Sequence, residues 1–147
     1  MQSRMSIKNI EPGIYAVMLA AEKQISQFHL DPKLRELIKV RVSQINGCGY
    51  CLNLHTNEAI KLGETQQRLF TLSAWWETPF FTEEEQAALK LAEEITLIAK
   101  EGVTDSTYNK AVAIFGEQKV AQLILAILTI NNWNRIAIST HMVAGSD

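Results

Sequence analysis

The sequence contains two cysteines, Cys48 and Cys51, and a histidine, His55, follows them closely. The thiolate is the reactive form of cysteine, and a neighbouring imidazole can take up or supply the proton that controls it. Because residues three and four positions apart share one face of a helix, we expect both thiols and the imidazole on the same helical face. Such a set can attack an oxidant, form a sulfenic acid and resolve it as a disulfide.

Other uses of the two cysteines fit the sequence less well. A zinc site needs four ligands, and the two further histidines, His29 and His141, lie outside ligand spacing. A structural disulfide across so short a loop would remove little chain entropy, and two small buried apolar residues remain a further alternative. We therefore expect redox chemistry with no metal and no cofactor, and we assign no function to His29 or His141.

The elements that position these residues are predicted to be helices. Turn signals divide the chain into helix-sized segments, and no segment alternates as a β-strand does. We predict one all-α domain over residues 1–147, a bundle of seven or eight helices. If Asn46 caps the motif helix, Cys48 lies in its first turn, where the helix dipole favours a thiolate. Cys51 lies closer to His55, so this reasoning leaves open which cysteine reacts first.

Later segments supply packing surfaces. Trp75 and Trp76 fall in what we expect to be a long connection, and Thr82 with Glu85 forms a capping box. Glycines at 102 and 116 should interrupt helices, and Thr104 or Asp105 should cap the last long one. Residues 120–130 are apolar on nearly every side, which is typical of a central or interface helix. We expect part of this surface, with the two tryptophans, to form a symmetric subunit contact.

Composition excludes several classes of protein. The 147 residues are 47% hydrophobic and 20% charged with a net charge of -2, as in an ordinary globular domain. There is no basic excess for nucleic-acid binding. The longest apolar run, 123–128, is far shorter than the ~20 residues of a membrane span. The first residues do not form a signal peptide. We expect a cytoplasmic protein without nucleic-acid or membrane partners.

The spacing of the reactive residues resembles that of a known family. Glu36, the eleven residues 37–47, Cys48, Cys51 and His55 follow the pattern of a glutamate, eleven residues and CxxCxxxH without a gap. This resembles the alkyl hydroperoxidase D-like branch of the carboxymuconolactone decarboxylase superfamily. The segments 74–89 and 132–135 are also similar to the small single-domain members, so the resemblance extends from about Ile14 to Val143.

The resemblance implies an all-helical fold that assembles into homo-oligomers, as dimers or as trimers or hexamers. It implies reduction of a hydroperoxide substrate by the cysteine pair, with electrons from a thiol or dithiol donor. Glu36 and His55 would form a proton relay that deprotonates Cys51, the peroxide-reactive cysteine, and Cys48 would resolve. The best-known branch has a histidine immediately before the second cysteine, where this chain has Tyr50, so the auxiliary proton path or the reductant differs here.

Two other functions stay open at this point. The protein could be a non-catalytic redox sensor or an oligomeric binding module. It could also have a decarboxylase-like activity on a small cyclic acid, with Glu36 or His55 as general base. The true lactone decarboxylases of the superfamily generally lack the cysteine pair, which argues against the latter. We expect packing or interface roles for the three tryptophans, Trp75, Trp76 and Trp133, and for Asn134 and Arg135.

Overall fold

A computed structural model describes residues 2–145, and within that range it contains helices and no β-strand. The elements are α1 (Ile7–Ile10), α2 (Pro12–Ser26), α3 (Pro32–Asn46), α4 (Gly49–Lys61), α5 (Gln66–Thr71), a 3-10 turn (Leu72–Glu77), α6 (Glu83–Thr96), α7 (Ile98–Glu101) and α8 (Asp105–Thr140). The all-α prediction is therefore confirmed for the described residues, with eight α-helices.

Helices begin where the sequence places capping side chains. The Asp31 carboxylate accepts the N–H of Lys33 at 3.0 Å, which starts α3 beside Pro32. Thr82 and Glu85 form the expected capping box of α6. Of the two candidates for the cap of α8, Thr104 is the one that accepts a backbone N–H, from Thr107. These local signals set where α3, α6 and α8 begin.

Helix α8 is the central element. Gly116 has φ 77° and ψ 158°, which interrupts the helix and separates residues 105–115 from residues 117–140. Helix α8 contacts α2, α3, α4 and α6. By length and composition it is long and apolar enough to cross a membrane, a test that core helices of soluble proteins also pass. The largest core cluster joins it to α3 and α6 through Leu34, Ile38, Val42, Leu91, Leu123, Ile127 and Ile130.

A network of polar side chains, buried at Ser43, Asn131 and Asn134, attaches the end of α3 to α8. The Asn46 amide donates to the side-chain oxygens of Asn131 and Asn134 at 3.0 and 2.9 Å. Asn134 is fully buried and donates to the hydroxyl of Ser43 at 2.9 Å. Arg135 donates to the Asn131 carbonyl oxygen at 3.0 Å. Because buried amides need partners, this network holds Asn46, two residues before Cys48, in one position.

The segment around Trp75 and Trp76 is not the long connection that we expected. Residues 72–77 form a 3-10 turn, and Trp75 is only 7% exposed. Its indole N–H donates to the Glu93 carboxylate at 2.9 Å, and Arg41 donates to the same oxygen at 2.7 Å. The buried indole and its carboxylate partner therefore order the segment. Trp76, at 53% exposed, remains on the surface.

Glu94 of α6 forms hydrogen bonds to the residues at which α8 begins. Its carboxylate accepts the backbone N–H of Thr104 and the hydroxyl of Thr107, each at 2.8 Å. Burial raises the pKa of Glu94, but these hydrogen bonds and the charge of Lys90 lower it further, so the pKa lies below the ordinary value. The charged carboxylate thus supports the start of α8.

Candidate active site

The turn between α3 and α4 places Cys48 at the start of a helix. Gly47 has φ 70°, a left-handed conformation that glycine adopts without strain, and the Cys48 N–H donates to the Ser43 carbonyl oxygen at 3.0 Å. Cys48 is itself the N-cap of α4, and its sulfur accepts the N–H of Cys51 at 3.3 Å. The expectation that Asn46 caps this helix is wrong, because Asn46 is the last residue of α3.

Cys48 and Cys51 are joined by a disulfide in the structure, with their Cα atoms 5.3 Å apart. They are 1% and 3% exposed, and they pack with Ala137 of α8, beside Tyr50 and Met142. The two sulfurs therefore lie within bonding distance, and both side chains are nearly fully buried. This is the arrangement that resolution of a sulfenic acid on one cysteine by the other requires.

Glu36 and His55 are in direct contact across the pair of helices. The Nδ1 atom of His55 lies 2.9 Å from Oε2 of Glu36, which is 8% exposed. An ionised carboxylate can only accept a hydrogen bond, so Nδ1 carries the proton. In the neutral ring, Nε2 then carries the free lone pair. The carboxylate thus fixes the tautomer that leaves Nε2 available as a base.

Lys39 completes the surroundings of Glu36. Its ammonium lies 3.0 Å from Oε1 of Glu36 and 4.0 Å from Oε2 of Glu22. Burial raises the pKa of Glu36, but the hydrogen bond from His55 and the positive charge of Lys39 lower it further, leaving it below the ordinary value. Glu36 therefore forms two ion pairs or hydrogen bonds at once, one with Lys39 on its own helix and one with His55 on α4.

A cavity of about 230 Å³ opens beside Cys51 and His55, which lie one helical turn apart on α4. Sequence reasoning missed most of its other walls. Glu22 comes from α2 and Trp133 from α8, and the Trp133 indole donates to Glu22 at 3.1 Å. Lys39, three residues after Glu36, and Tyr50, inside the cysteine motif, carried a usable sequence signal. Aromatic and apolar residues supply much of the lining: Tyr15, Tyr50, Leu54, Trp133, Ala137 and Met142.

A second cavity, of about 400 Å³, lies on the side of Cys48. His141 and Ile138, from the end of α8, line it with Cys48. Tyr50, Ala137 and Met142 line both cavities. The disulfide therefore has one cysteine facing each cavity.

The sequence and the fold are both similar to those of known proteins. The model of the carboxymuconolactone decarboxylase family matches residues 12–94. The uncharacterized protein YdfG of Bacillus subtilis is 44% identical over 139 residues, 95% of each chain. A crystal structure of a protein of unknown function from Agrobacterium tumefaciens, proposed as the antioxidant defence protein AhpD, superposes with a TM-score of 0.95 at 30% identity, covering 99% of this chain and 100% of that one.

A more distant structure shares the fold. An uncharacterized peroxidase-related protein from Ralstonia eutropha, described as an alkylhydroperoxidase AhpD core, has a TM-score of 0.82 at 16% identity. The alignment covers 95% of this chain and 74% of that one. At this identity the likeness concerns the fold alone.

Proposed function

The chain belongs to the carboxymuconolactone decarboxylase family, in its alkyl hydroperoxidase D-like branch, and from this membership we propose a thiol-dependent peroxidase. Cys51 is the thiol that meets the hydroperoxide, Cys48 resolves, and Glu36 with His55 moves the protons. The observation that carries the proposal is the hydrogen bond of 2.9 Å between Glu36 and His55 beside a bonded cysteine pair. This hydrogen bond fixes the tautomer of His55, which is then a base one helical turn from Cys51.

The oxidation proceeds in two steps. His55 takes the proton of the Cys51 thiol, and the thiolate attacks the terminal oxygen of the hydroperoxide ROOH. The O–O bond breaks, and the leaving alkoxide takes that proton and departs as ROH, which leaves a sulfenic acid on Cys51. The Cys48 sulfur then displaces hydroxide, which leaves as water with the Cys48 proton, and the disulfide forms. Two thiols and ROOH thus give a disulfide, ROH and water.

Recycling needs two electrons from a thiol or dithiol donor, and no other cofactor enters the scheme. The aromatic and apolar lining of the Cys51 cavity supports an organic hydroperoxide as substrate. We place this chemistry in a soluble, cytoplasmic homo-oligomer. Exposed apolar side chains support the oligomer, including Leu128 at 46% on the apolar part of α8 and Trp76 at 53%.

Turnover is the direct test of this proposal. The protein is given cumene hydroperoxide and excess dithiothreitol, and peroxide consumption is followed beside the Cys51→Ser variant. We expect many equivalents consumed per wild-type chain and background consumption by the variant. A single equivalent per chain would indicate a stoichiometric redox sensor instead. In a parallel sample of reduced protein without dithiothreitol, thiols that survive excess peroxide would refute the peroxidase.

A further inference from the structure

The two faces of the disulfide open to different cavities. Cys51 lines the cavity of about 230 Å³ with His55, whereas Cys48 lines the cavity of about 400 Å³ with His141. In thiol–disulfide exchange the attacking thiolate approaches one chosen sulfur, and the rate depends on access to that sulfur. The larger cavity therefore offers a route to the disulfide that does not pass through the peroxide site.

The Cys48 cavity contains its own ionisable side chain. His141 caps the end of α8 with φ 54° and ψ 52°, and it lines this cavity but not the one beside Cys51. A thiol is mostly protonated at neutral pH, so an imidazole that lines the same cavity as the attacked sulfur can accept the proton of an incoming thiol. Tyr50, which stands where the best-known branch has a second histidine, lines both cavities.

We propose that the Cys48 cavity is the docking site of the reducing dithiol and that His141 is its proton carrier. This inference rests on the proposed peroxidase function and deepens it. Peroxide and reductant reach the disulfide through different cavities, which share Tyr50, Ala137 and Met142 as a common wall. The reductant is a slender dithiol, because both cysteines are nearly fully buried.

Reduction of the disulfide proceeds by two thiol–disulfide exchanges. His141 takes the proton of the first donor thiol, and the resulting thiolate attacks Sγ of Cys48. The Cys48–Cys51 bond breaks, and Cys51 leaves as a thiolate that takes a proton from solvent, relayed through Nε2 of His55. The second donor thiol loses its proton to solvent and attacks the donor sulfur bound to Cys48. Cys48 leaves with the proton held on His141, and the dithiol has become a cyclic disulfide.

The test separates the two half-reactions. The disulfide is prepared with diamide, and its reduction by dithiothreitol is followed by counting free thiols in acid-quenched samples. Oxidation of the reduced protein by cumene hydroperoxide is measured in the same way. His141→Asn removes the imidazole, and asparagine accepts the left-handed conformation of position 141. Ile138→Trp narrows the Cys48 cavity from a half-exposed position, and Leu54→Trp narrows the cavity beside Cys51 as the matched control.

We expect His141→Asn and Ile138→Trp each to slow reduction by about tenfold or more while oxidation keeps its rate. Leu54→Trp should do the reverse. Reduction of the His141→Asn disulfide at the wild-type rate would overturn the role of His141, and slower oxidation in Ile138→Trp would overturn the separate routes. Because diamide forms the disulfide without peroxide, failure of wild-type oxidation by hydroperoxide would count against the peroxidase function and leave the reduction rates readable.

Discussion

Glu36 and His55 stand nineteen positions apart in the chain, and the Nδ1 and Oε2 atoms of the two side chains are 2.9 Å apart. The contact depends on the turn at Gly47, which folds α4 back along α3. Since Lys39 also holds the carboxylate, Glu36 is ionised and oriented from two directions. The charge that orients His55 is therefore part of the folded structure and does not have to be assembled during reaction.

Glu36→Gln should slow oxidation of the reduced protein by cumene hydroperoxide by about 100-fold. The amide can still contact His55, but it removes the charge that stabilises the imidazolium formed when Cys51 loses its proton. Glu22→Gln is the matched control, because Glu22 lines the same cavity without a hydrogen bond to His55 and should keep the rate within about threefold. Stopped-flow traces at pH 7 check both variants, and equal losses would contradict a specific role for Glu36.

Sulfenic acid trapping should identify Cys51 as the first cysteine to react. In Cys48→Ser the sulfenic acid on Cys51 lacks its resolving partner, so a dimedone adduct should accumulate there after one equivalent of peroxide. Cys51→Ser should give little adduct, because Cys48 lies a further turn from His55. Mass spectrometry of the tryptic peptide locates the adduct, and a Cys48 adduct with comparable yield would reverse the assignment.

Asn134→Ala should destabilise the fold by about 1–3 kcal/mol, because it leaves Asn46 without one of its acceptors and removes the amide that donates to Ser43. It should also slow disulfide formation, since Asn46 immediately precedes the Gly47–Cys48 turn. The control Asn57→Ala removes an exposed amide that bonds only within α4, with an expected effect of under about 0.5 kcal/mol. Urea unfolding at pH 7 measures both, and equal midpoints would refute the role of the network.

The lowered pKa of Glu94 predicts that the free energy of unfolding depends on pH. Its pKa is lowered in the folded protein, so its contribution is present above the unfolded pKa, and it is lost as pH falls through the folded pKa. Glu94→Gln should cost about 1.5–3 kcal/mol at pH 7, the range for hydrogen bonds to a charged group. The difference from wild type should shrink as the pH falls below about 4. Urea midpoints at several pH values check this, and a constant difference would contradict it.

Leu128→Glu should weaken self-association, because it places a charge on an exposed apolar position of α8. Sedimentation equilibrium at low micromolar concentration should give a multiple of 16.5 kDa for wild type and a lower mass for the variant. Gln118→Glu adds the same charge at an exposed polar position of the same helix and should leave the mass unchanged. A wild-type mass of 16.5 kDa that does not rise with concentration would exclude the interface.

The sequence predicts the reactive residues of the candidate site better than the residues that line the cavity around them. Asp31, Gly47 and the spacing from Glu36 to Cys48 are local signals, and they define the two helices and their reversal. The convergence of Glu22 and Trp133 on the cavity depends on packing between helices distant in the chain, which no short pattern records. The same holds for Trp75, whose burial follows from a carboxylate eighteen positions later.

The capping bond of Cys48 has an evolutionary consequence. The sulfur that forms the disulfide also accepts the N–H of Cys51 in the first turn of α4, so one side chain serves both the redox pair and the start of the helix. A lineage that lost the chemistry would still need the cap, and serine, threonine, aspartate and asparagine supply it better than alanine. Relatives that have abandoned peroxide reduction should therefore carry one of these four residues at the position of Cys48, whereas the position of Cys51 should drift freely among small apolar residues.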